Sequence, residues 1–247
     1  MTVFHYEQSD DGRKTLGLVV LQTDETIEDD FRRLIPPSVR LMVTRIPSGR
    51  EVTRESLGAM EDSLTASVGL FPEDLVFDAI GYGCTSGTAQ IGPDRIVELV
   101  QSGANAREVS NPLSALIAAC ESQGIRRMAI LSPYIESVSS RLMEVLGQHG
   151  IETPVFGSFS ESNEARVVRI SAASIEEAAC QLVADAEVDA LFLSCTNLRT
   201  LDVIGPLERE LRIPVLSSNL VLAWDLLRLT SGASAGLRPN ALLTKSA

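Results

Sequence analysis

The chain has 247 residues, 45% of them hydrophobic, with four cysteines, two histidines and a formal charge of −12. That length and apolar share allow one large α/β domain or two small ones, and the negative balance argues against binding nucleic acid or an anionic membrane. Cys84, Cys120, Cys180 and Cys195 have no CxxC spacing, so neither a zinc site nor a disulfide framework is expected. No apolar run has the length of a membrane span, and the N-terminal "MTVFHYEQSDDGR" is too polar for a secretory signal; the expectation is a soluble cytoplasmic protein.

In chain order, short apolar runs alternate with helical patterns. "LGLVVL" (16–21), "VRLMV" (39–43), "DAIGYG" (78–83), "RMAILS" (127–132), "TPVFGSF" (153–159), "DALFLS" (189–194) and "IPVLSS" (213–218) read as buried strands. Between them, "SIEEAACQLVADA" (174–186) has helical spacing behind a Ser cap with Glu three residues on. Such alternation predicts parallel sheets covered by helices.

The chain also repeats itself. "DAIGYGCTSGT" (78–88) and "DALFLSCTNLRT" (189–200) both place Asp-Ala four residues before Cys-Thr. Cys84 and Cys195 are 111 positions apart, "SNPLSA" at Ser110 and "SNLVLA" at Ser218 are 108 apart, and the strand ends at Asp24 and Tyr134 are 110 apart. Three landmarks in one order at nearly one offset indicate a duplicated α/β unit. The expected fold is therefore two pseudo-symmetric Rossmann-like halves meeting at a cleft. The first half takes residues 1–110, with 219–247 packing on it, and the second takes 111–218. Helices starting at Asn111 and Asn219 are expected to cap the opposite lobe.

Each repeated Cys falls at the C-terminal end of a strand with a helix following. Ligands of open α/β sheets bind there, and free N–H groups at a helix start favour anions and thiolates. A single Cys so placed is more often a small buried hydrophobe. Two at equivalent positions favour a chemical role, with lowered pKa values. Cys120 and Cys180 sit in apolar helical faces and read as core. Gly81, Gly83 and Gly87 form only a loosened dinucleotide fingerprint and read as clearance for a small ligand.

The "GCTSG" and "SCTN" segments in a duplicated chain of this length resemble the Asp/Glu racemase superfamily. "SCTNLRTLDVIGPLERELRIPVLSSNLVLAWDLLR" (194–228) is similar to its maleate cis–trans isomerase and arylmalonate decarboxylase branch, and "GLVVLQTDETIEDDFRRLIP" (17–36) to an ectoine-utilisation sub-branch. The resemblance implies a cofactor-independent, metal-free enzyme acting through two thiols on a small carboxylic acid. The decarboxylase branch lacks the first Cys. In the isomerase branch the equivalent of Cys84 attacks a double bond and that of Cys195 handles a proton. In the racemase branch the two thiols work on opposite faces of one carbon. The resemblance further implies substrate contacts at Tyr134 and Asn163, and carboxylate-holding groups at Thr85, Ser86, Thr196 and Asn197.

Asp24 departs from the isomerase pattern, which has Asn there. A carboxylate would repel a dicarboxylate and pair with an amino or amidinium group. An ordinary helix cap is the competing reading of Asp24. The expected function is a two-cysteine isomerase or racemase of a small nitrogen-containing carboxylic acid, with a role in ectoine degradation, in a homo-oligomer. The rivals are maleate isomerisation and non-catalytic capture of a small ligand.

Overall fold

The computed structural model describes residues 1–9 and 11–231. In the first half, β1 (Lys14–Leu21), α1 (Ile27–Leu34), β2 (Val39–Ile46), α2 (Arg54–Val68), β3 (Val76–Gly83), α3 (Thr85–Ile91), α4 (Pro93–Gly103) and β4 (Asn105–Ser110) follow one another. The second half runs α5 (Pro112–Gln123), β5 (Arg127–Ser132), α6 (Glu136–Gln148), β6 (Glu152–Ser158), α7 (Glu164–Val167), α8 (Ala172–Val183), β7 (Ala190–Leu193), α9 (Leu201–Leu211) and β8 (Val215–Ser217). A last helix, α10 (Ser218–Ser231), follows directly.

The strands form two four-stranded sheets in the orders β2-β1-β3-β4 and β6-β5-β7-β8. Every pairing is parallel, and the two orders are the same pattern, so the duplication read from the offsets is a duplication of topology. The central strands are apolar because helices cover both faces: Leu16, Leu18, Val19 and Val20 of β1 and Leu191, Phe192 and Leu193 of β7 are fully buried. The repeated Asp residues fix strand starts. Asp78 Oδ2 accepts from the Thr15 N–H at 2.9 Å, and Asp189 Oδ2 accepts from the N–H groups of Arg126 and Arg127 at 2.8 Å each.

Four elements differ from expectation: β2 and β6, expected to be buried strands, are partly exposed edge strands, and β4 and α8 differ as follows. β4, "NAREVS", carries too few apolar residues to read as a strand, because it is an edge strand with only Ser110 buried. α8 begins at Ala172, capped by Ser171, which accepts from the Ser174 N–H at 3.1 Å; Ser174 lies inside the first turn.

α10 leaves β8 and packs on the first half, against β3, β4 and α1. Gly81 on β3 makes this possible: a Cβ there would stand 2.9 Å from Leu226 Cδ1 of α10. α5, its counterpart, packs on α10 and α3. Residues 232–247, which the expectation also placed on the first half, lie outside the described residues. No helix among the described residues is long and apolar enough to cross a membrane.

Candidate active site

The C-terminal ends of β3 and β7 face one another between the halves, and each delivers a cysteine. Cys84 and Cys195, with Thr85, Ser86, Tyr134, Glu164, Thr196, Leu21, Val52 and Leu57, line one small cavity. Its volume is about 20 Å³, enough for about one water molecule. It is smaller than the room for a substrate that two opposed thiols suggest. Val52 and Leu57 close it from the β2–α2 side, and the closure is stitched across the halves. The Val52 N–H donates to Ser162 O at 2.9 Å, the Glu164 N–H to Arg50 O at 3.1 Å, and Glu51 forms an antiparallel bridge with Asn163.

Cys84 is the N-cap of α3, and its sulfur accepts from the Gly87 N–H at 3.2 Å. Gly87 cannot be larger: a Cβ would lie 2.9 Å from that sulfur and 2.8 Å from both Met60 Cε and the Tyr82 oxygen. The glycines of "GYGCTSG" thus give clearance to protein neighbours, not to a ligand. Nor does the helix start lower the thiol pKa. Burial pushes Cys84 up to about 12, outweighing the Gly87 N–H, with the charges of Glu164 and Asp24 adding to the rise.

Cys195 sits differently. Its φ is 116°, a conformation that costs a non-glycine residue on the order of 1–3 kcal/mol. It is held there by its N–H donating to Ser218 Oγ at 3.0 Å, and the Thr85 hydroxyl donates to the same oxygen at 2.7 Å. Ser218, the first residue of α10, therefore ties both cysteine segments together. The Cys195 sulfur lies 3.0 Å from the Tyr134 hydroxyl. Burial, then the Glu164 charge, raises this thiol well above its ordinary value.

Glu164 is the residue that sequence reasoning passed over. Its carboxyl group, 3% exposed, accepts from the Tyr134 hydroxyl at 2.5 Å and from Asn197 Nδ2 at 2.6 Å. Burial raises its pKa, and the two hydrogen bonds oppose that rise. Its neighbour Asn163 lies instead on an outer vestibule of about 420 Å³, with Gln22, Thr23, Glu25, Arg50, Glu164 and Ala165. A one-residue difference at the start of α7 decides which side chain points inward, and the pairing of this segment with Arg50–Val52 holds it there.

The other expected residues are near the thiols but already engaged. Asn197 accepts from the Glu25 N–H at 2.9 Å, besides holding Glu164. The Thr196 hydroxyl donates to Gly83 O at 3.3 Å. Asp24 does not line the gap between the sulfurs. Its Oδ1 accepts from the N–H groups of Thr26 and Ile27 at 2.8 Å each, so it caps the first turn of α1. Its Oδ2 is buried with no partner at hydrogen-bond geometry, and the adjacent Thr196 hydroxyl still draws the carboxyl pKa down. Burial raises the Asp24 pKa, and its charge reaches both thiols and Glu164. Cys120 is fully buried in α5, whereas Cys180 is only half-buried on α8, packed against the core from its edge.

Comparison with known proteins finds relatives of the same fold. The chain is 26% identical to the maleate isomerase of Nocardia farcinica over 95% of this chain and all of that protein. It is 31% identical to the arylmalonate decarboxylase of Bordetella bronchiseptica, over about half of each chain (51% and 53%). Among solved structures, a liganded double mutant of arylmalonate decarboxylase superposes with a TM-score of 0.81 at 24% identity, covering 92% of this chain and 96% of that one. A maleate isomerase mutant from Nocardia farcinica with a covalently bound succinylcysteine intermediate superposes with a TM-score of 0.78 at 24% identity, covering 88% and 93%. The family model described as arylmalonate decarboxylase matches residues 101–237, more than half of the sequence, and the chain belongs to that family.

Proposed function

We propose that the protein is a cofactor-independent isomerase or racemase that works with Cys84 and Cys195 on a small carboxylic acid carrying a positively charged or N–H-donating nitrogen group. The observation that carries this reading is the shared cavity: two separate thiols, one from each half, line a single space. A thiol on each side of a reacting carbon suits proton removal on one face and return on the other. It equally suits addition of one thiol to a double bond with proton handling by the second. A binding protein would have no use for two such thiols.

The substrate class rests on charge. Glu164 lines the cavity, Asp24 stands behind Thr196 with one unpaired carboxylate oxygen, and no lining residue is basic. A dianion such as maleate would meet repulsion there, and an amidinium or ammonium group would find partners. Ectoine, a cyclic amidine carboxylate, and its ring-opened acids have this chemistry. The likeness to maleate isomerase over nearly the whole chain supports a second reading, maleate isomerisation.

A panel of maleate, aspartate, glutamate, hydantoins, ectoine and its ring-opened acids, followed by chiral chromatography in H₂O and D₂O, separates these readings. Racemisation puts deuterium on the stereocentre. Cys84→Ala and Cys195→Ala should each reduce turnover by roughly 10³-fold or more, and Cys120→Ala should leave it within a small factor. Full activity in Cys84→Ala would sink the two-thiol mechanism.

A further inference from the structure

Both active-site thiols are held protonated by burial, yet either proposed reaction needs a thiolate. Each thiol has a backbone N–H to support its anion, Gly87 for Cys84 and Asn197 for Cys195, and Cys195 has in addition an unbroken line of acidic protons. The Cys195 sulfur is 3.0 Å from the Tyr134 oxygen, and that hydroxyl donates to Glu164 Oε1 at 2.5 Å. The hydroxyl proton is committed to Glu164, so the Cys195 S–H is the donor in the first contact. Glu164 ends the line, its second oxygen fixed by Asn197 Nδ2 at 2.6 Å. Its N–H is anchored to Arg50 O.

We infer that Glu164 is the positioning residue that arms Cys195, taking its proton through the Tyr134 hydroxyl. The Cys195 S–H bond breaks as its proton bonds to the Tyr134 oxygen. The original Tyr134 proton passes to Glu164 Oε1 in the same step. The products are a thiolate and a neutral carboxylic acid, so charge moves about two hydrogen bonds and none is created. Tyr134 then donates to the thiolate and the Glu164 acid donates to Tyr134. Running the step backwards returns a proton to Cys195 after the thiolate has received one from substrate. Cys195 is thereby set apart from Cys84 by the buried carboxylate at the far end of its tyrosine contact.

The inference rests on the two-thiol reading above, but its test needs no substrate, so either can fail alone. The ionisable groups whose charges act on Glu164 or Cys195 are Tyr134, Asp24 and each other; Glu164 also acts on Cys84, and Arg50 and Glu25 share the outer vestibule. The probe is iodoacetamide, small and uncharged, with alkylation of Cys195 followed by peptide mass spectrometry across the neutral pH range. With Glu164 as internal acceptor, the reactive thiolate fraction is set by transfer within the protein. The wild-type rate should then be flat with pH above the Glu164 pKa. In Glu164→Gln the plateau should vanish and the rate rise about tenfold per pH unit, as for a thiol losing its proton to water. Tyr134→Phe keeps the Glu164 charge and removes the bridge, and should alkylate at least about tenfold more slowly than wild type at pH 7. Thermal melts establish that each variant is folded. A wild-type rate rising tenfold per pH unit, a plateau that survives Glu164→Gln, or a Tyr134→Phe protein as reactive as wild type would each overturn the relay.

Discussion

The two carboxylate oxygens of Asp24 are placed differently. Oδ1 caps α1 through two backbone N–H groups, and Oδ2 is left buried and unpaired beside Thr196. Two unit charges about 4 Å apart interact by about 4 kcal/mol at an effective dielectric near 20. Even much reduced by water, that distinguishes a dianion from a zwitterion by tens of fold. Asn retains an oxygen for the cap, so Asp24→Asn should fold normally. It should improve kcat/KM for maleate-like dianions and lower it for amino or amidine acids by roughly tenfold. Unchanged ratios for both classes would reduce Asp24 to a helix cap.

At the scale of elements, α1 and α10 meet through a second buried carboxyl group. Asp30 of α1 accepts from Asn219 Nδ2 at 2.7 Å, and the same Nδ2 donates to Thr196 O at 2.8 Å, behind the Cys195 loop. Burial raises the Asp30 pKa from 3.8 to about 6, against the Asn219 bond and the Arg33 charge, which lower it. Because the folded pKa is the higher one, the folded state binds the extra proton between those values. Asp30 therefore costs nothing below pH 4, and its destabilisation grows as pH rises to 6 and is complete above it. A shift of about 2 pKa units corresponds to up to about 3 kcal/mol. Asp30→Asn should match wild type in Tm near pH 4 and exceed it increasingly up to pH 6, as followed by thermal denaturation. A constant difference across that range would show that Asp30 is not the titrating group.

At the scale of the molecule, the halves share one cysteine-lined cavity and one swapped helix. α10 begins at Ser218 beside both cysteine segments and then buries Leu222 and Leu226 over Gly81 of the other sheet. Further ties are the Arg54 guanidinium on Ser137 O at 2.8 Å and the Arg33–Asp202 ion pair at 2.5 Å. Leu226 is fully buried, so Leu226→Ala should cost about 2–5 kcal/mol. Since that contact joins the halves, the loss should lower a single unfolding transition seen equally by circular dichroism and by Trp224 fluorescence. Two separated transitions would mean that the halves fold independently. A cavity of about 20 Å³ has room for about one water molecule, so this closed arrangement leaves no space for a substrate beside the thiols.

The sequence by itself determined the halves, the parallel sheets and the two cysteines at strand ends, because these follow from local apolar runs and a repeat offset near 110. It determined an edge strand poorly: β4 is mostly exposed and carries no apolar signature, although its offset of 108 from the "IPVLSS" strand marks the place. Tertiary structure alone decided the chemistry of the site. Whether Asn163 or Glu164 points inward depends on pairing with the Arg50–Val52 segment, more than a hundred residues away. Whether a helix start lowers a thiol pKa depends on how completely the closed halves exclude water, and here burial exceeds the pull of one N–H. Both are properties of contacts between distant segments, which neither periodicity nor spacing along the chain encodes.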